Sequence, residues 1–521
     1  MKRRDFLKTT SLIGLPLIIN GIPVGAVGRN HLLDLIQGKN DRVLVLIQMN
    51  GGNDGLNMVL PLDQYSNLSV ARSKILIPEA AALPLRTGLG IHPAMTSMQN
   101  VWNDGKLLLA QSVGYPNQNR SHFRSTDIWT TATDANKHDY TGWLGRYFAE
   151  EYQGYPYGYP NTEYPDPIAI TIGSNTSQTC QGEGTNFSLA LTDPNALRIL
   201  SEGIEDQYPN SNYGDELRFL NGSIVQTNDY TQVIQNANTK SGPNLSTKYP
   251  ADNTNALSTK LKTVARLING GLQTKVYIVN ISGFDTHSAQ CDPTDHTIGN
   301  HANLLKMLSD AVYAFLDDIQ LMGHGERVIG MTFSEFGRRI KANDSTGTDH
   351  GTAAPLFMFG SCINPVILGD NPTINPTVAN DEGVAMQIDF RSLYASVLVD
   401  WFEMDASQMS SVLFKDFTKL PIIKGCSPTT DNKDLDQIAF DFKLSPNPAK
   451  GDINISFESE DDNLRISLFD TIGSELEVIY VGRVSAGSHN YKLDADKLAP
   501  GNYYVRIASL RSQKTKSFVK I

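Results

Sequence analysis

The sequence predicts an α/β protein, a mostly parallel β-sheet flanked by helices, followed by a small C-terminal β-sandwich. Three observations predict it. VLVLIQM (43–49), KVYIVNI (275–281) and RVIGMTF (327–333) are short, almost continuously apolar runs, as expected of strands covered on both faces of a parallel sheet. Between the last two, Leu304, Leu305, Leu308, Ala311, Val312, Phe315, Leu316 and Ile319 fall on one face of a helix, giving the strand, helix, strand order of a parallel crossover. From Phe440 onward, short alternating runs are punctuated by Gly, Asn and Pro, the spacing of an antiparallel sandwich.

The elements can be taken in chain order. MKRRDFLKTT places Lys2, Arg3 and Arg4 ahead of an apolar stretch that Pro16 and Asn20 interrupt, too short for a membrane span of ~20 apolar residues and suited to a cleavable signal. No transmembrane anchor is expected. Arg3, Arg4, Phe6, Leu7 and Lys8 resemble the twin-arginine export motif, and Val24 and Ala26 suit cleavage after Ala26, so residues 1–26 read as a signal peptide used by the twin-arginine or the Sec translocase. PIAITIG (167–173) is a further, weaker strand candidate, and the Tyr-, Pro- and Gly-rich EEYQGYPYGYPNTEYPDP that precedes it is a surface loop. CSPTTDNKDLDQ (426–437) is polar and turn-rich, as a linker between residues 27–425 and 438–521 should be.

With 521 residues the chain exceeds one ordinary domain. Its 44 basic and 55 acidic residues, net −11, leave no basic field for nucleic acid, which is excluded as a partner. Cys180, Cys291, Cys362 and Cys426 lie far apart without zinc-ribbon spacing. They are read as buried thiols or as one bridge, with three pairings open to four cysteines.

In open α/β sheets a ligand site lies beyond the carboxyl ends of the strands. Four stretches stand there: NGGNDGLN with Asn53, Asp54 and Asn57; GFDTH with Asp285 and His287; SEFGRR with Ser334, Glu335, Arg338 and Arg339; and GTDHGTAAPLF with Asp349 and His350. NRSHFRSTDIW adds Arg120, Ser121, His122 and Arg124 where a helix begins. Carboxylates and imidazoles so gathered suit a divalent metal, zinc, manganese or calcium, one or two ions. A serine at a helix N-terminus gains from the helix dipole, and arginines clamp an anionic substrate. Each element also has a structural reading. Asp54 can shape a turn, Ser121 can cap its helix, and Glu335 can pair with Arg338 one turn on. His92, His296 and His301 lack comparable context, and Arg391 belongs to a packed helix.

IQMNGGNDGLNMVLP, NRSHFRSTDIW, GFDTH, SEFGRR, DHGTAAPLF and DFRSLYASVL, in that order across Asp41 to Phe414, resemble a large secreted bacterial family described as a domain of unknown function. That family is similar in turn to the alkaline phosphatase and sulfatase superfamily. The resemblance implies an alkaline phosphatase-like sheet. It implies Ser121 as nucleophile and Asp54, Asp285, His287, Glu335 and His350 as metal ligands; beside these, the reading of the residues takes His122 as a catalytic partner and Asn53, Asn57, Arg120, Arg124 and Arg338 as substrate contacts. Two departures imply an altered or missing metal site: one residue, Thr286, separates Asp285 from His287 where the superfamily places three, and Phe336 follows Glu335 where a histidine is expected. SPNPAKG, LFDTIG, LAPGNYYVRI and the basic end resemble the C-terminal sorting domain of the type IX secretion system, which implies that machinery as a partner and a cell-surface or extracellular destination by way of the periplasm. Two functions follow as expectations: a metal-dependent hydrolase of phosphate or sulfate esters, or a non-catalytic binding protein on a retired hydrolase scaffold.

Overall fold

The computed structural model describes residues 18–19, 22–23, 41–197, 211–426, 442–459, 462–470, 475–509 and 513–521. Apart from two dipeptides, the expected signal peptide lies outside the described residues, as does the linker after Cys426. The chain forms two compact units, one spanning Asp41–Pro428 and one that includes Thr429–Ile521.

Among the described residues, the main sheet of the larger unit has nine strands: β1 (Val43–Asn50), β2 (Leu107–Gly114), β3 (Ala169–Ile172), β4 (Ser188–Leu191), β5 (Val276–Ser282), β6 (Val328–Phe333), β7 (Ala354–Phe359), β8 (Ile367–Leu368) and β9 (Ile388–Asp389). Their order is β8-β2-β7-β6-β1-β5-β3-β4, with β9 also beside β2. The three apolar runs are parallel neighbours, as expected: β1 lies between β5 and β6, with Ser282 level with Asn50 and Phe333 level with Gln48. Only β7 runs the other way, antiparallel to both β6 and β2.

Alternate residues of these strands enter two different cores, which is why the runs are apolar without interruption. Leu44, Leu46, Ile278 and Met331 pack with Trp129, Trp143, Phe390 and Tyr394. These come from the helices α2 (His122–Thr131), α3 (Trp143–Glu151) and α7 (Phe390–Ser396). On the other face Val45, Ile47, Tyr277 and Val279 pack against residues of α1 (Thr96–Asn103), α5 (Ala256–Asn269) and α6 (Asn300–Leu321). Helix α4 (Asn212–Ser241) lies along α5. Helix α6 buries Leu305, Leu308, Ala311, Val312, Phe315, Leu316 and Ile319, all of them in the expected apolar stripe.

Cys362 and Cys426 form a disulfide, while Cys180 and Cys291 are buried thiols. Cys426, which the sequence places at the head of the linker, is therefore fastened to the α/β unit. The C-terminal unit holds two antiparallel sheets, one of β10 (Phe442–Ser445), β11 (Ile453–Ser459) and β14 (Gly487–Leu493), the other of β12 (Asp462–Phe469), β13 (Glu475–Val484), β15 (Gly501–Ser509) and β16 (Gln513–Lys520). Phe442, Ile455 and Phe457 from the first meet Ile466, Val505 and Phe518 from the second in one core, which makes the sandwich.

Candidate metal centre

Because β1, β5 and β6 are parallel and level, the loops leaving them open at the same edge of the sheet. Strand β7 is reversed, so the loop that precedes it reaches that edge too. His350 thus joins the site from ahead of a strand, where the sequence reading had it following one. Helix α2 is drawn in when Ser125 donates its hydroxyl hydrogen to the carbonyl of Glu335. Two glycines make the approach feasible. Gly51 has φ +123°, and a Cβ there would stand 2.3 Å from the amide nitrogen of Asp285. Gly283, at φ +114°, turns the chain beyond β5 toward the site.

Three imidazoles converge on Asp285. Its Oδ1 lies 3.2 Å from His287 Nε2, 3.3 Å from His350 Nε2 and 3.6 Å from His122 Nε2. The two nitrogens of His287 and His350 are 2.9 Å apart. Each ring is fixed from behind through Nδ1. His122 donates to Glu335 Oε1 at 2.8 Å, His287 to Asp349 Oδ1 at 3.1 Å and His350 to the carbonyl of Arg120 at 2.8 Å. A carbonyl oxygen can only accept, so Nδ1 of His350 carries the hydrogen and its Nε2 keeps a lone pair, directed at Asp285. The carboxylate partners likewise place a hydrogen on Nδ1 of the other two rings. Phe336 packs against both His122 and His350, at ring-centre distances of 4.8 and 4.6 Å.

The surrounding charges suit this arrangement. Burial lowers the pKa of His350, helped by the cation of Arg338, so its ring is neutral at ordinary pH. For Asp285 burial acts to raise the pKa, but the hydrogen bond and charge of Arg338 outweigh it and hold the group below its ordinary value. Asp349 behaves alike: burial opposes, while His287, Asn343 and Arg339 prevail and keep it charged.

Donor atoms of His122, Asp285 and His350 lie within 4.8 Å of one another, and His287 stands against two of them. Ligands ~2.0–2.2 Å from a tetrahedral ion would be ~3.3–3.6 Å apart, close to the separations of 2.9, 3.2, 3.3 and 3.6 Å found here. Neutral imidazoles anchored to carboxylate or carbonyl acceptors are the usual mode of holding a first-row metal. His122, Asp285 and His350 thus form a candidate site for such an ion, with His287 beside two of them. It does not suit calcium, which takes six to eight oxygens.

The other residues singled out in the sequence stand differently. Asp54 is 1% exposed, and its carboxylate takes both an ion pair from buried Arg72 at 3.0 Å and a hydrogen bond from Gln290 at 2.6 Å. Burial acts to raise its pKa, and Arg72, His301 and Gln290 together drive it below the ordinary value. It is thus bound up in a separate buried network, a correction to its expected place among the ligands. Asn57 belongs to that network, accepting from Arg72 at 2.8 Å and donating to the carbonyl of Ile75. Asn53, fully buried, accepts from His301 at 2.9 Å. Neither asparagine is open to a substrate. Glu335, 3% exposed, accepts from Gly51 N and from His122, so it orients a histidine.

Arg338 does not pair with Glu335. Its buried guanidinium donates to the carbonyls of Gly51, Gly52, Phe284 and Thr348 and to Asp285 Oδ1 at 2.6 Å, stitching three of the loops together. Arg124 turns to Asp127 and to the carbonyls of Asp134, Ala135 and Lys137. Ser121 is exposed at the start of α2 and its side chain makes no capping bond. Sequence reasoning named Asp349 without giving it a role, although its place beside His350 was a signal. It missed Arg72 and Gln290, which nothing local marks.

Residues 79–411 match the family described as protein of unknown function (DUF1501), more than half of the chain. The chain belongs to that family. In this DUF1501 member residues 443–521 match the secretion system C-terminal sorting domain, which marks it for the cell surface or the extracellular space and implies the type IX secretion system as a partner. Among the described residues no helix is long and apolar enough to cross a membrane. Curated proteins include no match to the sequence. Solved structures that it is similar to include a protein in the alkaline phosphatase superfamily from Vibrio parahaemolyticus, with 10% identity, TM-score 0.34, and 86% of this chain and 78% of that one covered. A sulfatase from Pseudoalteromonas sp. has 10% identity, TM-score 0.29 and coverage of 91% and 88%. A phosphonate monoester hydrolase from Silicibacter pomeroyi has 10% identity, TM-score 0.30 and coverage of 92% and 89%.

Proposed function

We propose that this DUF1501 protein is a secreted or cell-surface metal-dependent hydrolase of phosphate or sulfate esters, exported through the twin-arginine or Sec translocase before the type IX machinery. The single observation that carries the reading is the convergence of three Nε2 atoms on Asp285, each ring held by an acceptor at Nδ1. In this reading His122, Asp285, His287 and His350 hold one zinc or manganese ion, and Glu335, Asp349 and the Arg120 carbonyl keep the rings aimed. When bound, such an ion polarises an ester oxygen and lowers the pKa of a nucleophile. Ser121 is the nucleophile, exposed at the positive end of the α2 dipole, which favours its alkoxide. Arg120 receives the anionic group, and Arg338 keeps Asp285 ionised while it fixes the loops.

A second reading, a non-catalytic binding protein on the same scaffold, draws on a different observation: Asp54 and Asp285 are both neutralised by arginines, Arg72 and Arg338. The experiment that separates the two is metal analysis of the purified full-length protein, together with hydrolysis of generic aryl phosphate and sulfate esters by wild type and Ser121→Ala. The hydrolase reading expects about one ion per chain and a loss of at least roughly a thousandfold in turnover for the variant. Bound metal without turnover supports the binding protein, and absence of metal at saturating zinc or manganese removes both metal readings.

A further inference from the structure

Gln290, a little beyond His287 in the chain, is fully buried, and its side-chain amide bonds three separate segments. Its Oε1 accepts from the hydroxyl of Thr286 at 3.0 Å and from that of Thr348 at 2.8 Å, and its Nε2 donates to Asp54 Oδ2 at 2.6 Å. Thr286 stands between Asp285 and His287, and Thr348 comes immediately before Asp349 and His350. Both threonines are buried. The same two loops meet through their backbones, where Thr348 N donates to the carbonyl of Thr286 at 3.1 Å and Asn343 Nδ2 to that of His287 at 2.8 Å.

The amide can face only one way. Asp54 is ionised beside Arg72 and can only accept, so the NH2 of Gln290 is the end that meets it. Oε1 is thereby turned to the threonines and takes one hydroxyl on each lone pair. We infer that Gln290 is a positioning residue of the metal centre: as a clamp on the hydroxyls of Thr286 and Thr348 it fixes the separation of the Asp285–His287 loop from the Asp349–His350 loop, and with it the 2.9 Å between His287 Nε2 and His350 Nε2. The inference rests on the metal reading of that centre and deepens it. Donors that must all stand ~2.0–2.2 Å from one ion tolerate little sliding of one loop past the other. Of residue 54 the clamp asks only an oxygen acceptor, which asparagine also offers.

Cobalt(II) is the probe, because its visible absorption reports both binding and the geometry of its donors. It is titrated into the metal-free full-length protein: wild type, Thr286→Val, Thr348→Val, the double variant, Thr348→Ser and Leu261→Ala. Valine keeps the shape of threonine without the hydroxyl. Leu261→Ala empties a buried position in α5, which carries none of the site loops, and weakens the fold there. Each valine variant should bind cobalt about tenfold more weakly, the lower end of what loss of an outer partner costs, and its absorption band should change. The double variant should also be about tenfold weaker, since either loss alone opens the clamp. Thr348→Ser and Leu261→Ala should keep the wild-type affinity and band. Wild-type affinity in the valine variants, a loss of about a hundredfold in the double variant, or a comparable loss in Thr348→Ser or Leu261→Ala overturns the inference while the metal reading stands. A wild type that binds no cobalt overturns both.

Discussion

Replacing Glu335 by glutamine tests the orientation of the metal centre without touching a proposed ligand. The Glu335 carboxylate is 3% exposed, and Oε1 accepts from Gly51 N at 2.9 Å and from His122 Nδ1 at 2.8 Å, while Oε2 accepts from the Ser334 hydroxyl at 3.3 Å. Glutamine has the same shape, so the packing survives, but one acceptor becomes a donor facing Ser334 and the charge behind His122 is gone. Hydrogen bonds to charged groups contribute about 1.5–3 kcal/mol against about 0.5–1.5 for neutral ones, so the bond to His122 weakens by roughly 1–1.5 kcal/mol. Loss of a partner that aims a metal-binding histidine typically costs about 10–100-fold in affinity, which is about 1.4–2.7 kcal/mol, a range that the weakened bond reaches at its lower end. Competition of the full-length protein against a chromophoric zinc chelator at pH 7 should therefore show affinity about 10–100-fold weaker than wild type. The metal-free proteins should keep the same circular dichroism. An affinity within about twofold of wild type would refute the reasoning, because His122 would then either not hold metal or not depend on Glu335 for its aim.

Three further outcomes are expected. Asp54→Asn should leave metal content unchanged yet destabilise the fold by about 3–5 kcal/mol, since it strands the buried Arg72 charge; His287→Ala should do the reverse, and thermal melts beside metal analysis distinguish them. Acid should weaken the fold well before the carboxylates titrate: burial lowers the pKa of His92 to about 3 and of His301 to about 4 from the ordinary 6.5. Below pH 6.5 the unfolded chain therefore takes up protons that the folded chain refuses, stability falls as the pH drops toward the folded values, and denaturant melts at pH 5 and 7 should differ by about 2 kcal/mol for each histidine. His301→Asn should reduce that difference. Reduction of the Cys362–Cys426 bridge, with a sequence separation of 64 residues, should destabilise the α/β unit by roughly 4 kcal/mol. Unchanged melting after complete reduction would count against it.

The sequence by itself determined that β1, β5 and β6 are parallel strands of one sheet, the helix stripe on α6 and the sandwich at the C-terminus, because burial leaves a periodic apolar signature within each short segment. It also placed the polar loops at one edge of the sheet, since strand direction decides where loops open. Only the tertiary structure decided which polar groups meet. Asp54, Glu335 and Asp285 all follow strands and look alike in sequence, yet one pairs with Arg72, one aims His122 and one stands among three imidazoles. Asp349 serves His287, its partner across 62 residues, rather than the adjacent His350, whose Nδ1 goes to the Arg120 carbonyl. The physical reason is range: a hydrogen bond or ion pair is won or lost over less than an ångström, and that distance is set by where separate loops come to rest, as when Gly51 lets one loop close against Asp285. Apolar burial tolerates such shifts and can be read locally, whereas the pairing of charges cannot.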